Sequence, residues 1–140
     1  PAQVKALLEH FCCHWMVHRP NQAMFSKRAV ILTNSIGAPN RSAQKDIMTS
    51  LTWLGVSDVR RLGFGLMEGV IWHKLSEERR EKIKNKTFKL AGRYQTHKRG
   101  KKGLKVRAYF RICQIMHRAM LKKELTPSAE NQHWIDRGWL

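Results

Sequence analysis

Ala29-Val30-Ile31-Leu32, running into the loop Thr33-Asn34-Ser35-Ile36-Gly37-Ala38-Pro39-Asn40-Arg41-Ser42, is the stretch whose reading decides the fold. The four leading residues are apolar without alternation, which is how a strand buried on both faces reads, and such strands belong to parallel sheets covered by helices. The loop then lies at the carboxyl end of the strand, where open parallel sheets bind their ligands. Downstream, Ser42 is suited to cap a helix that carries Ile47, Met48, Leu51 and Leu54 on one face and stops at Gly55, where a left-handed residue is tolerated. A second strand is predicted over Asp58–Leu66, and its Gly63 and Gly65 mark a close approach by another backbone or a ligand. Strand, loop, helix and strand make one parallel βαβ unit, so the fold class is α/β.

Working outward, Ala2–Val17 places Val4, Leu7, Leu8, Phe11, Cys12, Trp15 and Met16 at helical spacing, which predicts a helix with one buried stripe that ends before Pro20. Cys12 and Trp15 belong to that stripe, and His10, His14 and His18 recur every four residues on its polar side. No Cys-x-x-Cys or His-Glu-x-x-His spacing accompanies those histidines, so they read as a polar helix face and no metal is expected. Ser76 can cap a long helix through Tyr94, with Glu77 and Glu78 in its first turn. Thr96–Lys105 is a Gly/Lys/Arg-rich linker. Val106, Tyr109, Phe110, Cys113, Met116, Met120 and Leu121 then mark a helix whose polar positions are nearly all cationic. Thr126-Pro127 opens a last short helix that Gly138 closes, letting Trp139 fold back towards Trp134.

The chain has 140 residues, 27 Lys and Arg against 10 Asp and Glu, and a formal net charge of +17. That imbalance suits a polyanion, an acidic membrane surface or a phosphate-bearing ligand. Three cysteines, two of them neighbours in sequence, do not form a disulfide framework. No stretch reaches the roughly 18–20 apolar residues that span a bilayer, no signal-peptide pattern is present, and a cytoplasmic location is expected.

Four local signatures carry a family likeness: Trp15-Met16-Val17-His18-Arg19-Pro20, the strand and loop Lys27–Gly37, Leu51-Thr52-Trp53-Leu54-Gly55, and the tail Trp134-Ile135-Asp136-Arg137-Gly138-Trp139-Leu140. In this order and at these separations the chain resembles the C-terminal half of the flavodoxin-like NAD(P)H-dependent oxidoreductases that bind FMN. The resemblance implies part of a three-layer sandwich in residues 1–95 and a basic helical extension in 96–140. It implies a chain that starts after the family's third strand, without the loop that holds the FMN phosphate, and hence weak or no FMN binding and self-association by the 140 residues alone.

By the same resemblance, Thr33, Asn34, Ser35, Ile36 and Gly37 are candidate flavin contacts, in a loop made bulkier than the family's by Asn34, Ile36 and Pro39. His18 and Arg19 are expected at the rim where a pyridine dinucleotide or electron acceptor approaches. The implied activity is hydride transfer from NAD(P)H through FMN to a quinone, flavin or similar small acceptor, in a homodimer, with no protein acid, base or nucleophile required. The competing class is a non-enzymatic basic module. Its cationic C-terminal helix, with Tyr109 and Phe110, would bind nucleic acid or an anionic membrane; nucleic acid is the less favoured partner, and peripheral membrane contact stays open.

Overall fold

The structure, a computed structural model, describes residues 2–38, 40–66, 71–96 and 98–140. Pro39, part of the predicted stiff loop, and His97, in the predicted linker, lie outside them. The described residues form an α/β arrangement of five α-helices and a two-stranded parallel sheet. The helices are α1 (Ala2–His10), α2 (Arg41–Trp53), α3 (Glu77–Tyr94), α4 (Leu104–Leu121) and α5 (Ala129–Asp136), and the strands are β1 (Arg28–Ser35) and β2 (Asp58–Gly65). β1 and β2 pair in parallel from Arg28↔Asp58 to Ser35↔Gly65, with α2 as the crossover.

Because side chains alternate along a strand, Ile31 and Thr33 share one face and Val30 and Leu32 the other. α2 covers the first: Ile31 is buried, and Gln44 Nε2 donates to Thr33 Oγ1 at 2.7 Å. The second face is open, with Val30 38% and Leu32 62% exposed. The unbroken apolar run therefore signals a strand made for cover on both faces, and the second face receives it only in part, since α3 meets that face near Arg28 and Phe64 and leaves Val30 and Leu32 bare.

α3 returns from the carboxyl to the amino end of the sheet and is tied at both ends. Near its start Arg79 Nη2 donates to the Gly65 carbonyl. At its far end Arg28 donates to the Arg93 carbonyl at 2.8 Å and to Asp58 Oδ2 at 2.9 Å, and its guanidinium lies 4.2 Å from the Tyr94 ring centroid. Burial, and then the Asp58 carboxylate, raise the Tyr94 phenol above its ordinary pKa.

The main core lies at the opposite end of the molecule from the loop after β1. Met16, Phe25, Val106, Cys113 and Trp134 are buried together, with Trp53, Tyr109, Phe110, Trp139 and Leu140 packed against them. The cluster draws on residues from both sides of position 95. Two links hold it under the amino ends of the strands: the Gly103 N–H donates to Ser57 Oγ at 2.8 Å, and the Gly100 N–H donates to the Ser26 carbonyl at 2.8 Å. Burial raises the Cys113 thiol pKa. Burial, followed by the Arg107 and Arg111 charges, lowers that of Lys102, whose ammonium sits 3.8 Å from the Phe25 ring centroid.

Several local expectations change. α1 stops at His10 and the chain turns through a short 3-10 segment, so His10, His14 and His18 share no helix face. Val4, Leu7 and Phe11 stay exposed, as does Cys12, because a helical stripe is buried only where something is placed against it. Asn40, not Ser42, occupies the N-cap position of α2, without a side-chain capping bond. The expected stops hold: Gly55 has φ +99° after α2, and Ser76 Oγ accepts from the Arg79 N–H at the start of α3. At the end of α5, Gly138 has φ +64° while the Trp139 N–H reaches the Trp134 carbonyl at 3.0 Å.

Candidate functional site

At the carboxyl ends of β1 and β2 a crevice of about 490 Å³ is lined by Gly37 and Ala38, by Gly63, Phe64 and Gly65, and by Arg79, Lys82, Ile83 and Lys86 of α3. Each wall has a local cause. Beyond β1 the chain folds over itself: the Ser35 hydroxyl donates to the Ala38 carbonyl, and the Ser35 carbonyl accepts from the Leu66 N–H at 2.7 Å. This brings Gly37 against Gly65, where an added Cβ would overlap the Gly37 carbonyl oxygen. The close backbone approach expected at the Gly63-x-Gly65 pair is therefore present at Gly65, and the partner is the loop after β1.

α3 supplies the charge. Arg79, Lys82 and Lys86 stand at i, i+3 and i+7, which keeps them on one side of the helix, with the half-buried Ile83 among them. Phe64 and Ile83 give the crevice apolar surface and the three cations give it a positive border. A pocket of this size, with a few convergent polar groups, falls in the range of small-molecule sites, and its charge suits a partly apolar, anionic ligand.

Among the sequence-predicted residues, the structure brings Thr33, Asn34, Ser35, Ile36 and Gly37 to this end of the sheet in different roles. Thr33 is spoken for by Gln44, and Ser35 by the turn it closes. Asn34 projects beside Phe64 in the strand register, on the open face. Ile36 is 72% exposed at the loop tip, and Gly37 lines the crevice.

His18 and Arg19 are not brought to it. They lie at the amino end of the strands, a strand length of roughly 25 Å away. His18 Nδ1 is 2.8 Å from Glu130 Oε1, and its carbonyl accepts from the Trp134 indole N–H at 2.7 Å. The Arg19 N–H donates to the Cys13 carbonyl at 3.0 Å. These residues belong to the seam between the Val17–Pro20 turn and α5.

Sequence reasoning missed Arg79, Lys82 and Lys86, because cations on a long charged helix read as a solvated face. The usable signal was their spacing on the helix that directly follows β2. It also missed a buried polar chain at the core. His117 Nδ1 lies 2.7 Å from Asn131 Oδ1, its Nε2 lies 3.1 Å from the Val17 carbonyl, and Asn131 Nδ2 donates to Glu124 Oε2 at 2.7 Å. Among the described residues, no group of three or more His, Cys, Asp or Glu side chains is placed to hold a metal ion. No helix among them is long and apolar enough to cross a membrane.

No protein-family model, no characterised protein and no solved structure matches this chain. The geometry and the sequence resemblance are what bear on its function.

Proposed function

We propose that this chain is part of a flavodoxin-like, FMN-dependent NAD(P)H oxidoreductase and forms one side of its flavin crevice. The observation that carries the reading is the parallel β1–β2 pair, joined through α2, with a crevice at the carboxyl ends of both strands, where ligands of open α/β sheets bind. The residues present fit the group: Phe64 and Ile83 are apolar surfaces for a flat ring, and Lys82 and Lys86 are free-ended cations for a phosphate or a dinucleotide. FMN, when bound, supplies the hydride-accepting ring. The chain's own residues would place that ring against the Ile36–Ala38 turn and keep water from one side of it.

Two further features support the reading. Among the described residues β1 has a ladder on one side only, and its open face carries Val30 and Leu32. A further parallel strand and a covering layer would complete both, as the three-layer sandwich requires.

The test is made on the protein expressed from its full gene. It is expected to purify yellow, to release FMN on denaturation, and to oxidise NADPH or NADH with a quinone or free flavin as acceptor. Lys82→Glu with Lys86→Glu is expected to weaken nucleotide binding by at least about tenfold, one charge-assisted bond's worth. Colourless protein that FMN does not reconstitute overturns the proposal.

A further inference from the structure

The amphipathic pattern of α4 has two apolar faces, and only one is used. Val106, Cys113 and His117 are buried in the core, with Tyr109 and Phe110 packed beside them. At about 100° per residue, Leu104, Ala108, Ile112, Ile115 and Ala119 fall within an arc of roughly 80° on the other side. Leu104 is 85%, Ile112 55% and Ile115 67% exposed. One border of this stripe is formed by Arg107, Arg111 and Arg118, all exposed, and the other by Lys105. No Asp or Glu occurs anywhere in α4.

We infer that this face of α4 docks on an anionic lipid surface, the isoleucines entering the boundary between headgroups and acyl chains while the arginines meet lipid phosphates. An apolar stripe edged by cations, on a helix that lies in the interface plane, is the pattern that binds such surfaces. Charge argues against the alternatives. A second copy of the chain would set the same arginines against one another in a helix with no acid to answer them.

A nucleic acid would be gripped through phosphates and aromatic stacking. Tyr109 and Phe110, the two aromatic rings of α4, are turned into the core: Phe110 stacks on Trp134 with centroids 5.0 Å apart, and Tyr109 stacks on Trp53 at 4.9 Å. The apolar side chains that α4 shows to solvent carry no ring, which suits lipid. The stripe is also remote from the crevice, since the start of α4 is anchored by Gly103 to Ser57 at the amino ends of the strands. This inference therefore stands or falls independently of the flavin proposal.

The test is co-sedimentation of the protein expressed from its full gene with vesicles of phosphatidylcholine alone and of phosphatidylcholine mixed with phosphatidylglycerol, against a control without vesicles. Binding is expected on the mixed vesicles only, falling as salt rises. Ile112→Ser and Ile115→Ser are each expected to weaken it by about tenfold, the effect of withholding one half-exposed aliphatic side chain from lipid. Leu104→Ser, at the first residue of the helix and clear of the core, is expected to weaken binding too and provides a variant whose folding is not in question.

Three results overturn the inference. One is binding to the mixed vesicles that no apolar substitution weakens, which would be the attraction of a +17 chain and nothing more. The second is a dimer in sedimentation that Ile115→Ser dissolves, with no vesicle binding. The third is binding to a single-stranded RNA homopolymer with none to the mixed vesicles.

Discussion

Replacing Trp134 tests whether the core at the amino ends of the strands holds the sheet and the C-terminal helices in one cooperative unit. The side chain has no exposed surface. Its ring lies 5.0 Å from that of Phe110, 4.5 Å from that of His117 and 5.3 Å from that of Trp139, and its indole N–H donates to the His18 carbonyl at 2.7 Å. Trp134→Ala removes the stack and leaves a cavity, a change that costs about 3–5 kcal/mol. Loss of the hydrogen bond adds about 1 kcal/mol, and more if the His18 carbonyl stays dry. Trp134→Phe keeps most of the stack, so its cost is expected near 1–2 kcal/mol, and the difference between the two variants isolates the packing.

Single domains are stable by roughly 5–15 kcal/mol, so the alanine variant sits close to the edge of folding. Urea denaturation followed by far-ultraviolet circular dichroism gives the numbers. One transition is expected for each protein, with the midpoint lowered and the slope unchanged. A Trp134→Ala loss below about 1 kcal/mol, or two transitions of which only one moves, would refute the reasoning, because it would mean that α4 and α5 fold apart from the sheet.

Three other outcomes follow from the same contacts. Glu124 is held below the ordinary carboxyl value of 4.5 by the Ser128 N–H and then by the Asn131 side-chain amide. A depressed folded-state pKa stabilises fully above the unfolded value and is lost as pH falls through the folded one. Stability is therefore expected to decline as pH drops below about 4.5, and Glu124→Gln should flatten that part of the curve; an unchanged acid limb in the variant would count against the bond. Gly65→Ala is expected to cost about 1–3 kcal/mol by driving a methyl into the Gly37 carbonyl, whereas a Cβ on Gly37 meets open space and Gly37→Ala should be near neutral. Equal effects in denaturation would contradict the closed turn. Leu32→Lys puts a charge on the open face of β1, beside a strand edge that no described residue pairs, and should reduce concentration-dependent self-association in sedimentation; an unchanged or greater association would rule out that edge as its site.

Features decided within a few residues were legible in the sequence. Gly55 and Gly138 end their helices in the left-handed region, Ser76 caps α3, and β1 forms around the apolar run, although it extends through Thr33, Asn34 and Ser35, which read as loop because they are polar. Each of these depends on local sterics or on a backbone bond to a near neighbour. What required the rest of the molecule was not legible. Cys12 and Phe11 fit a buried stripe by spacing, yet α1 ends at His10 and both are exposed. The chain of His117, Asn131 and Glu124 joins residues up to 14 apart whose partnership no periodicity announces.

α4 shows why periodicity underdetermines such cases. Apolar residues stand on two sides of the helix, so the pattern supports either side as the core, and the choice depends on the rings that meet it. Phe25 approaches Phe110 edge-on with centroids 5.4 Å apart, and Trp53 stacks on Tyr109. Aromatic partners bury more surface and gain specific ring geometry, so the aromatic side wins the interior. The aliphatic side is then left facing water, with arginines along one border and Lys105 on the other. The same competition that builds the core thus creates the surface inferred to meet lipid, and a ring-for-aliphatic exchange between the two faces would reverse both assignments at once.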